Sequence, residues 1–212
     1  MELKDRRYNA LYTYTKALSV ALGYRDQMTR LHSDRVRDIA EAVGARCGLT
    51  ERQLEALKIA ATFHDIGKIG IPDHILLKPA QFDEYEWQKM KQHAEIGEKI
   101  IAATELEGAQ QASTVIRHHH ENYDGSGYPD GLAGEGIPIC ARIISIADSY
   151  DAMAVTRAYH RSRTHEEVMG IMQGETGRKY DPNIMDLFCD LIETSEFRAT
   201  EPDALSTPGL SN

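Results

Sequence analysis

The sequence predicts an all-α fold. Apolar residues recur at three- and four-residue spacing along most of the chain, which is typical of amphipathic helices. Capping-box sequences mark several helix starts, and glycine and proline concentrate in one stretch, residues 122–138. The chain has 212 residues, of which 42% are hydrophobic and 27% charged, so we expect one globular domain with irregular ends.

Composition excludes several functional classes. The net charge of −9 argues against a nonspecific nucleic-acid surface. No apolar run approaches the length of a membrane span, and the first ten residues lack the apolar core of a signal peptide, so we expect a cytoplasmic chain with no membrane contact. Cys47, Cys140 and Cys189 are widely spaced, which predicts buried, reduced thiols rather than disulfides or a thiolate zinc site.

The first two predicted helices are amphipathic. Residues 11–25 form a helix or the end of a linker from an upstream domain. The second helix is predicted from Thr29 to Cys47, with Val36 and Ile39 facing inward. His32 lies one turn before Val36 and therefore also faces the core. It is either a buried, hydrogen-bonded imidazole or a metal ligand.

The third predicted helix carries a His-Asp pair at its end. Thr50 to Gln53 form a capping box, and the apolar stripe that follows extends the helix over residues 51–67. His64 ends that stripe, Lys68 lies one turn further, and Asp65 lies about 100° round the helix from His64. An imidazole and a carboxylate so close together can bind one divalent metal, and the second carboxylate oxygen can reach another. The alternative is a hydrogen-bonded helix end.

Further histidines fall on the next predicted helices. Asp83 caps a long amphipathic segment over residues 84–104, on which His93 lies beside the buried stripe. A helix over about 108–121 ends in three consecutive histidines, of which His119 and His120 point inward more readily than His118.

The glycine-rich stretch precedes the most apolar helix. Residues 122–138 contain five glycines, and a loop of this length inside a compact domain is commonly functional. In the helix over 139–155, Asp148 must be paired, protonated or metal-bound, because burying a lone carboxylate costs several kcal/mol. Thr164 and Asp181-Pro182 begin two more helices, the last reaching about Glu196, and the tail after Phe197 has a disordered composition.

Considered together, these inward-facing groups indicate one shared site. They lie on five separate predicted helices, and their joint placement by accident is improbable. A cluster of imidazoles and carboxylates without thiolates suits two ions of the iron, manganese or zinc type, each with an open position for water. Such a site carries net positive charge, which attracts a phosphate group. The seven residues are His32, His64, Asp65, His93, His119, His120 and Asp148.

The chain resembles the HD-GYP domains, a branch of the HD phosphohydrolase superfamily. The matching motifs are HSDRV at His32, HDIGKIGIPDHILLKP at His64, MKQHAEIG at His93, HHENYDGSGYPDGL and ARIISIADSYDAM. The resemblance implies an all-helical bundle around a dinuclear metal site, with a catalytic domain over 25–197 between an N-terminal helix or linker (1–24) and a tail (198–212). It implies that the seven residues above are the ligands, that Asp65 bridges two metals, and that Lys68 lies beside the substrate phosphate.

The resemblance also implies an activity. HD-GYP domains are associated with metal-assisted hydrolysis of the bacterial second messenger cyclic di-GMP to pGpG, with GMP as the product of a second cut. Two divalent ions are expected, iron or manganese in the first place and zinc, nickel or magnesium as alternatives. Arg157 and Tyr159 match the substrate-side segment of the family, and His160, in the same segment, is also expected to contact the substrate. A helix-end cation and a packed ring are the alternatives for Arg157 and Tyr159.

Three positions depart from the family pattern. Some members carry a glutamate, associated with a third metal, where this chain has Met28, and a thioether is a poor ligand for hard ions, so we expect two metals. His160 stands where relatives often have a basic residue, which weakens the expected phosphate affinity. Ala158 replaces a frequent proline.

Other functions remain open at this stage. The domain could sense a cyclic dinucleotide without turnover, or act on another cyclic dinucleotide or a nucleotide monoester. It could also dock diguanylate cyclase (GGDEF) domains through the loop 122–138, and alanine at Tyr128 would separate docking from catalysis. The sequence does not decide whether the chain forms a homodimer, and no feature of it identifies the base of the cyclic dinucleotide.

Overall fold

A computed structural model of the chain describes residues 29–154 and 163–199, together with positions 16, 20 and 22–24. These residues form a helical fold in which the only β-type pairing is a single bridge between Thr176 and Tyr180. The elements are α1 (Thr29–Arg46), α2 (Glu51–Phe63), a 3-10 helix (Ile66–Gly70), α3 (Asp73–Leu76), α4 (Glu84–Lys91), α5 (His93–Ala102), α6 (Ala109–His118), a second 3-10 helix (Gly134–Gly136), α7 (Ile139–Ala154), α8 (His165–Gly174) and α9 (Pro182–Ile192).

The predicted helix starts are confirmed. Thr50, Asp83 and Thr164 each form a complete capping box, in which the side chain accepts from a backbone N–H two to three positions into the helix. Asp181 caps α9, with Pro182 at its first position. Of the predicted helix over 11–25, the described positions 16, 20 and 22–24 are helical, and Leu22 is buried.

Three predicted helix extents were wrong. The helix predicted over 51–67 ends at Phe63, and a 3-10 helix follows, because the chain turns to bring Gly67 against α5. A side chain at Gly67 would put its Cβ 1.8 Å from the His93 carbonyl oxygen, so only glycine allows this approach.

The segment predicted as one helix over 84–104 divides at Gln92 into α4 and α5. The last helix ends at Ile192 instead of near Glu196, and the N–H groups of Thr194 and Ser195 bond to carbonyls three residues back. Such tightened bonds are typical of a helix end.

Helix packing brings the histidine-bearing segments together. α1 packs on α2 and α7, α2 packs on α6, and α5 packs on both α6 and the first 3-10 helix. The core between them contains fully buried Val36, Leu57, Ile116 and Ile144, and burial of such side chains stabilises the fold by roughly 1.5–3 kcal/mol each. None of the described helices has both the length and the apolarity needed to cross a membrane.

The remaining predictions concern thiols and the tail. The three cysteines are free, but only Cys140 is buried, and Cys47 and Cys189 are half-buried. Residues 200–212 lie outside the described part of the chain. Of the residues assigned to the tail, Arg198 binds Glu166, and the Ala199 N–H donates to the Tyr150 hydroxyl at 2.8 Å.

Candidate metal centre

The seven predicted ligands lie together at one site. Their potential ligand atoms form two groups, and within each group the atoms lie no more than 4.8 Å apart. The first group, which we call the imidazole group, consists of His93, His119 and His120, and the second, the mixed group, consists of His32, His64 and Asp148.

Asp65 lies between the two groups. Its Oδ1 is 3.6 Å from Nε2 of His93, in the imidazole group, and its Oδ2 is 3.5 Å from Nε2 of His64, in the mixed group. The carboxylate is 6% exposed. Its two oxygens therefore face different groups, which is the arrangement that a bridging ligand requires.

Backbone carbonyls orient three of the imidazoles. Nδ1 of His64, His93 and His119 lies 2.7, 2.7 and 2.6 Å from the carbonyl oxygens of Ala61, Met90 and Ile116 respectively. Since a carbonyl oxygen only accepts, each Nδ1 carries the proton, and each neutral ring presents the lone pair of Nε2 to the cluster. This outer-shell contact is typical of metal-ligating histidines.

The inner nitrogens fit a cation and do not satisfy one another. Nε2 of His93 lies 3.4 Å from Nε2 of His119, so two lone pairs face each other, and Nε2 of His120 lies 3.1 Å from the same His93 atom. Nε2 of His64 is buried without a hydrogen-bond partner. A buried polar atom without a partner is costly, and metal ions bound by the two groups would satisfy these atoms.

Electrostatics keep the imidazole group neutral. Burial lowers the pKa of His119 to about 3, and the neighbouring His64 and His93 act in the same direction. Burial is also the main cause of the lowered pKa values of His93 and His120. Neutral imidazole is the form that binds a metal.

The mixed group is charged. Burial opposes ionisation of Asp148, but the hydrogen bond from His32 holds the pKa of this carboxyl below its usual range. Burial likewise opposes protonation of His32, yet hydrogen bonds to Asp148 and Asp151 raise its pKa to about 9. Nε2 of His32 lies 3.0 Å from Oδ1 of Asp148.

Asp151 is a functional residue that the sequence reasoning missed. Its Oδ2 lies 2.7 Å from Nδ1 of His32, and Arg35 donates to both of its oxygens at 2.6 and 3.0 Å. The side chain is buried and holds the outer nitrogen of His32, as the backbone carbonyls do for the other rings. The signal was present, because Asp151 lies one turn after Asp148 on an apolar helix.

Lys68 lies beside the shared carboxylate of Asp65. Its Nζ donates to Oδ2 of Asp65 at 2.7 Å. Burial opposes ionisation of Asp65, but the charge of Lys68 holds the pKa of this carboxyl well below its usual range. A fixed positive charge thus stands at the edge of the cluster.

The glycine-rich loop closes one side of the site. The peptide between Tyr128 and Pro129 is cis, and the Tyr128 ring lies 4.9 Å from the His120 ring, centroid to centroid. Gly127 allows the loop to approach the end of α6, because a Cβ there would lie 2.2 Å from the Asn122 nitrogen.

A polar network anchors this loop to α6. Nε and one terminal nitrogen of Arg117 donate to the two oxygens of Asp130, each at 2.7 Å, and Nε2 of His118 lies 2.9 Å from the same carboxylate. The Asp130 N–H donates to Glu121 at 2.8 Å. His118, Glu121 and Asp130 also have the spacing of metal ligands, but Arg117 already neutralises Asp130. As predicted, His118 points away from the seven-residue cluster.

The predicted substrate contacts Arg157, Tyr159 and His160 lie outside the described residues. So do Met28, on which the expectation of a two-metal site rests, and Ala158.

The chain matches the HD domain family over residues 14–184. It is 39% identical over 185 residues to the "Cyclic di-GMP phosphodiesterase response regulator RpfG" of Xanthomonas campestris pv. campestris, covering 87% of this chain and 48% of that protein. It is 34% identical over 204 residues to the "3'3'-cGAMP-specific phosphodiesterase 2" of Vibrio cholerae, covering 96% of this chain and 38% of the relative. The chain thus spans half or less of each of these relatives.

A crystal structure of the V. cholerae cyclic GMP-AMP phosphodiesterase V-cGAP3 has the same fold. The TM-score is 0.62 at 18% sequence identity, over 78% of this chain and 44% of that one. At this identity the likeness concerns the fold alone. It agrees with the helical bundle predicted from the sequence.

Proposed function

Since the chain belongs to the HD domain family, we propose that it is a metal-dependent phosphodiesterase that hydrolyses cyclic di-GMP to pGpG. The two relatives described above carry names for cyclic dinucleotide phosphodiesterases, one for cyclic di-GMP and one for 3'3'-cGAMP. A second cut of pGpG would release GMP.

The position of Asp65 supports this proposal most strongly. One of its oxygens faces the imidazole group and the other faces the mixed group. The donor set of five imidazoles and two carboxylates, with no thiolate, favours two iron or manganese ions over softer metals, and zinc, nickel and magnesium are the alternatives.

Bound divalent ions would supply Lewis-acid charge to the phosphate and activate water for attack on phosphorus. Hydrolysis adds water across one P–O bond and leaves a 5′-phosphate and a 3′-hydroxyl. Asp65 and Asp148 would hold the metals, and Lys68, fixed 2.7 Å from Asp65, can donate to a phosphate oxygen and offset the charge that develops there.

Arg157, Tyr159 and His160 remain proposed substrate contacts on the strength of the sequence motif. For Tyr128, contact with His120 favours a role at the active site over docking of a GGDEF domain, because the Tyr128 ring lies 4.9 Å from that of His120 in the candidate site. Tyr128→Ala should therefore reduce hydrolysis. Loss of a GGDEF complex with normal hydrolysis would support docking instead.

The test is anaerobic incubation of the purified chain with cyclic di-GMP and either Fe(II) or Mn(II), with products separated by chromatography. We expect pGpG, and its formation should stop on addition of a chelator. Parallel reactions with cyclic di-AMP and 3'3'-cGAMP define the substrate. Binding of cyclic di-GMP by the metal-loaded chain without any product would contradict the proposal and favour a sensor.

A further inference from the structure

A row of aromatic rings leads outward from the metal cluster. Tyr128 contacts His120 on one side, and on the other its ring lies 6.0 Å from Trp87 of α4, edge to face. Trp87 in turn stacks with Phe82 at 6.4 Å. Trp87 is 39% exposed, so a large apolar face is open to solvent beside the site.

Lys91 adds a positive charge to this row. It lies one turn after Trp87 on α4, and its Nζ stands 5.5 Å from the centroids of both the Trp87 and Tyr128 rings. In the described part of the chain, the ammonium group contacts these rings and forms no salt bridge with a carboxylate. Its charge is therefore available to a ligand that reaches the same rings.

This pairing of groups matches the chemistry of guanine. An exposed indole offers a flat face for a purine base to stack on. Guanine presents O6 and N7, two acceptors, along one edge, and a lysine ammonium donates to both. Adenine presents N7 beside an amino group, which is a donor, so the same lysine binds it less well.

We propose that Trp87 and Lys91 form a guanine-binding subsite beside the metal cluster. Trp87 stacks on one base of the substrate, and Lys91 donates to O6 and N7 of that base. The inference rests on the proposed function, because it places a cyclic dinucleotide phosphate at the cluster, and it deepens that function by assigning residues that select guanine over adenine.

α4 itself supplies a matched control. Tyr85 and Lys89 form the same kind of aromatic–lysine pair, with Lys89 Nζ 5.6 Å from the Tyr85 ring. Because this pair is displaced by two residues, it faces the opposite side of the helix, away from Tyr128. Tyr85 is 66% exposed.

Trp87 is the only tryptophan in the chain, so its fluorescence reports the subsite directly. We expect pGpG to quench this fluorescence saturably and pApA to require at least about a tenfold higher concentration. Lys91→Met should reduce that difference to less than about threefold, whereas Lys89→Met should preserve it. Equal affinities for pGpG and pApA in the unchanged chain would overturn the proposal.

Hydrolysis provides the second readout. Trp87→Ala should lower the ratio of kcat/KM for cyclic di-GMP to kcat/KM for bis(4-nitrophenyl) phosphate, which lacks a purine, by about tenfold or more. Tyr85→Ala should not change that ratio. Equal losses for both substrates in Trp87→Ala would indicate a structural role and contradict the subsite. If the unchanged chain hydrolyses neither diester, the proposed function fails, while the fluorescence titration still decides the subsite.

Discussion

The two halves of the metal centre are built differently. In the imidazole group, three rings have lowered pKa values, and the carboxylate that faces them is the shared Asp65. In the mixed group, Asp148 lies directly beside His32, and Asp151 and Arg35 form a second layer of charge behind that ring. Backbone carbonyls orient two rings of the first group and one of the second, whereas a carboxylate orients His32 in the second.

This difference shows two ways of holding a histidine for a metal. A carbonyl at the end of a helix comes from the local fold and cannot be removed by changing a side chain. A carboxylate such as Asp151 can be changed alone. In the mixed group, the contact that orients His32 can therefore be tested by mutation. The predictions below begin with the residue that the halves share.

Asp65→Ala should have the largest effect, because it removes the ligand that both groups use. We expect turnover of cyclic di-GMP to fall by about a thousandfold or more, with fewer than two ions bound per chain. Product chromatography and elemental analysis measure the two effects. Asp186→Ala, an exposed aspartate on α9, is the control. Activity near that of the unchanged chain in Asp65→Ala would refute the shared-ligand arrangement.

His119→Ala should empty the imidazole group and leave the mixed group intact. We expect the metal content to fall from two ions to one and turnover to fall by about a hundredfold or more. The neighbouring His118→Ala is the matched control for metal content, because His118 binds Asp130 of the loop. If both variants lost the same amount of metal, the assignment of His119 to the metal site and of His118 to the loop contact would be wrong.

Asp151→Asn tests the outer layer of the mixed group. The amide keeps the size of the side chain but loses the charge that orients His32 and binds Arg35, so we expect metal affinity to fall by about 10–100-fold. A metal titration monitored by activity should show one weakened site, with turnover restored by excess metal. Loss of activity that excess metal does not restore would indicate a different role. Asp190→Asn, also exposed on α9, is the control.

Arg117→Gln should have the smallest effect, because it loosens the loop without touching a ligand. The Arg117 side chain is 23% and that of Asp130 35% exposed, and such exposed pairs contribute only about 0–1 kcal/mol. We expect full metal content and a loss of turnover of a few fold, measured at saturating metal, as Tyr128 moves more freely over His120. A loss as large as that of His119→Ala would mean that the loop is part of the metal centre itself.

Local pattern identified most of this site. Helix starts were located by the capping sequences at Thr50, Asp83 and Thr164, and helix faces by the apolar stripes. A polar residue on such a buried stripe is then recognisable as a candidate site residue. Seven such residues are brought together, as the sequence predicts. Asp151 was missed because its role depends on a contact with His32 of α1, and the spacing of residues along α7 does not show that contact.

Helix extents were predicted less well, for a reason that lies in packing. Gly67 lies so close to the His93 carbonyl that α2 cannot continue through residue 67, and the sequence does not show which carbonyl a glycine will meet. The break at Gln92 likewise turns His93 inward at the start of a new helix. Hydrophobic periodicity describes one helix at a time, whereas the positions of these helix ends depend on how two segments pack together.

The sequence by itself therefore determined the helical class, the helix starts and most of the polar residues that line the candidate site, because capping and burial depend on spacing along one segment. Tertiary structure alone decided which oxygen of Asp65 faces which group, and that Trp87, Lys91 and Tyr128 meet. The last three residues come from a helix and a distant loop. Their contact depends on where the fold places the loop relative to α4, and no local spacing encodes that distance.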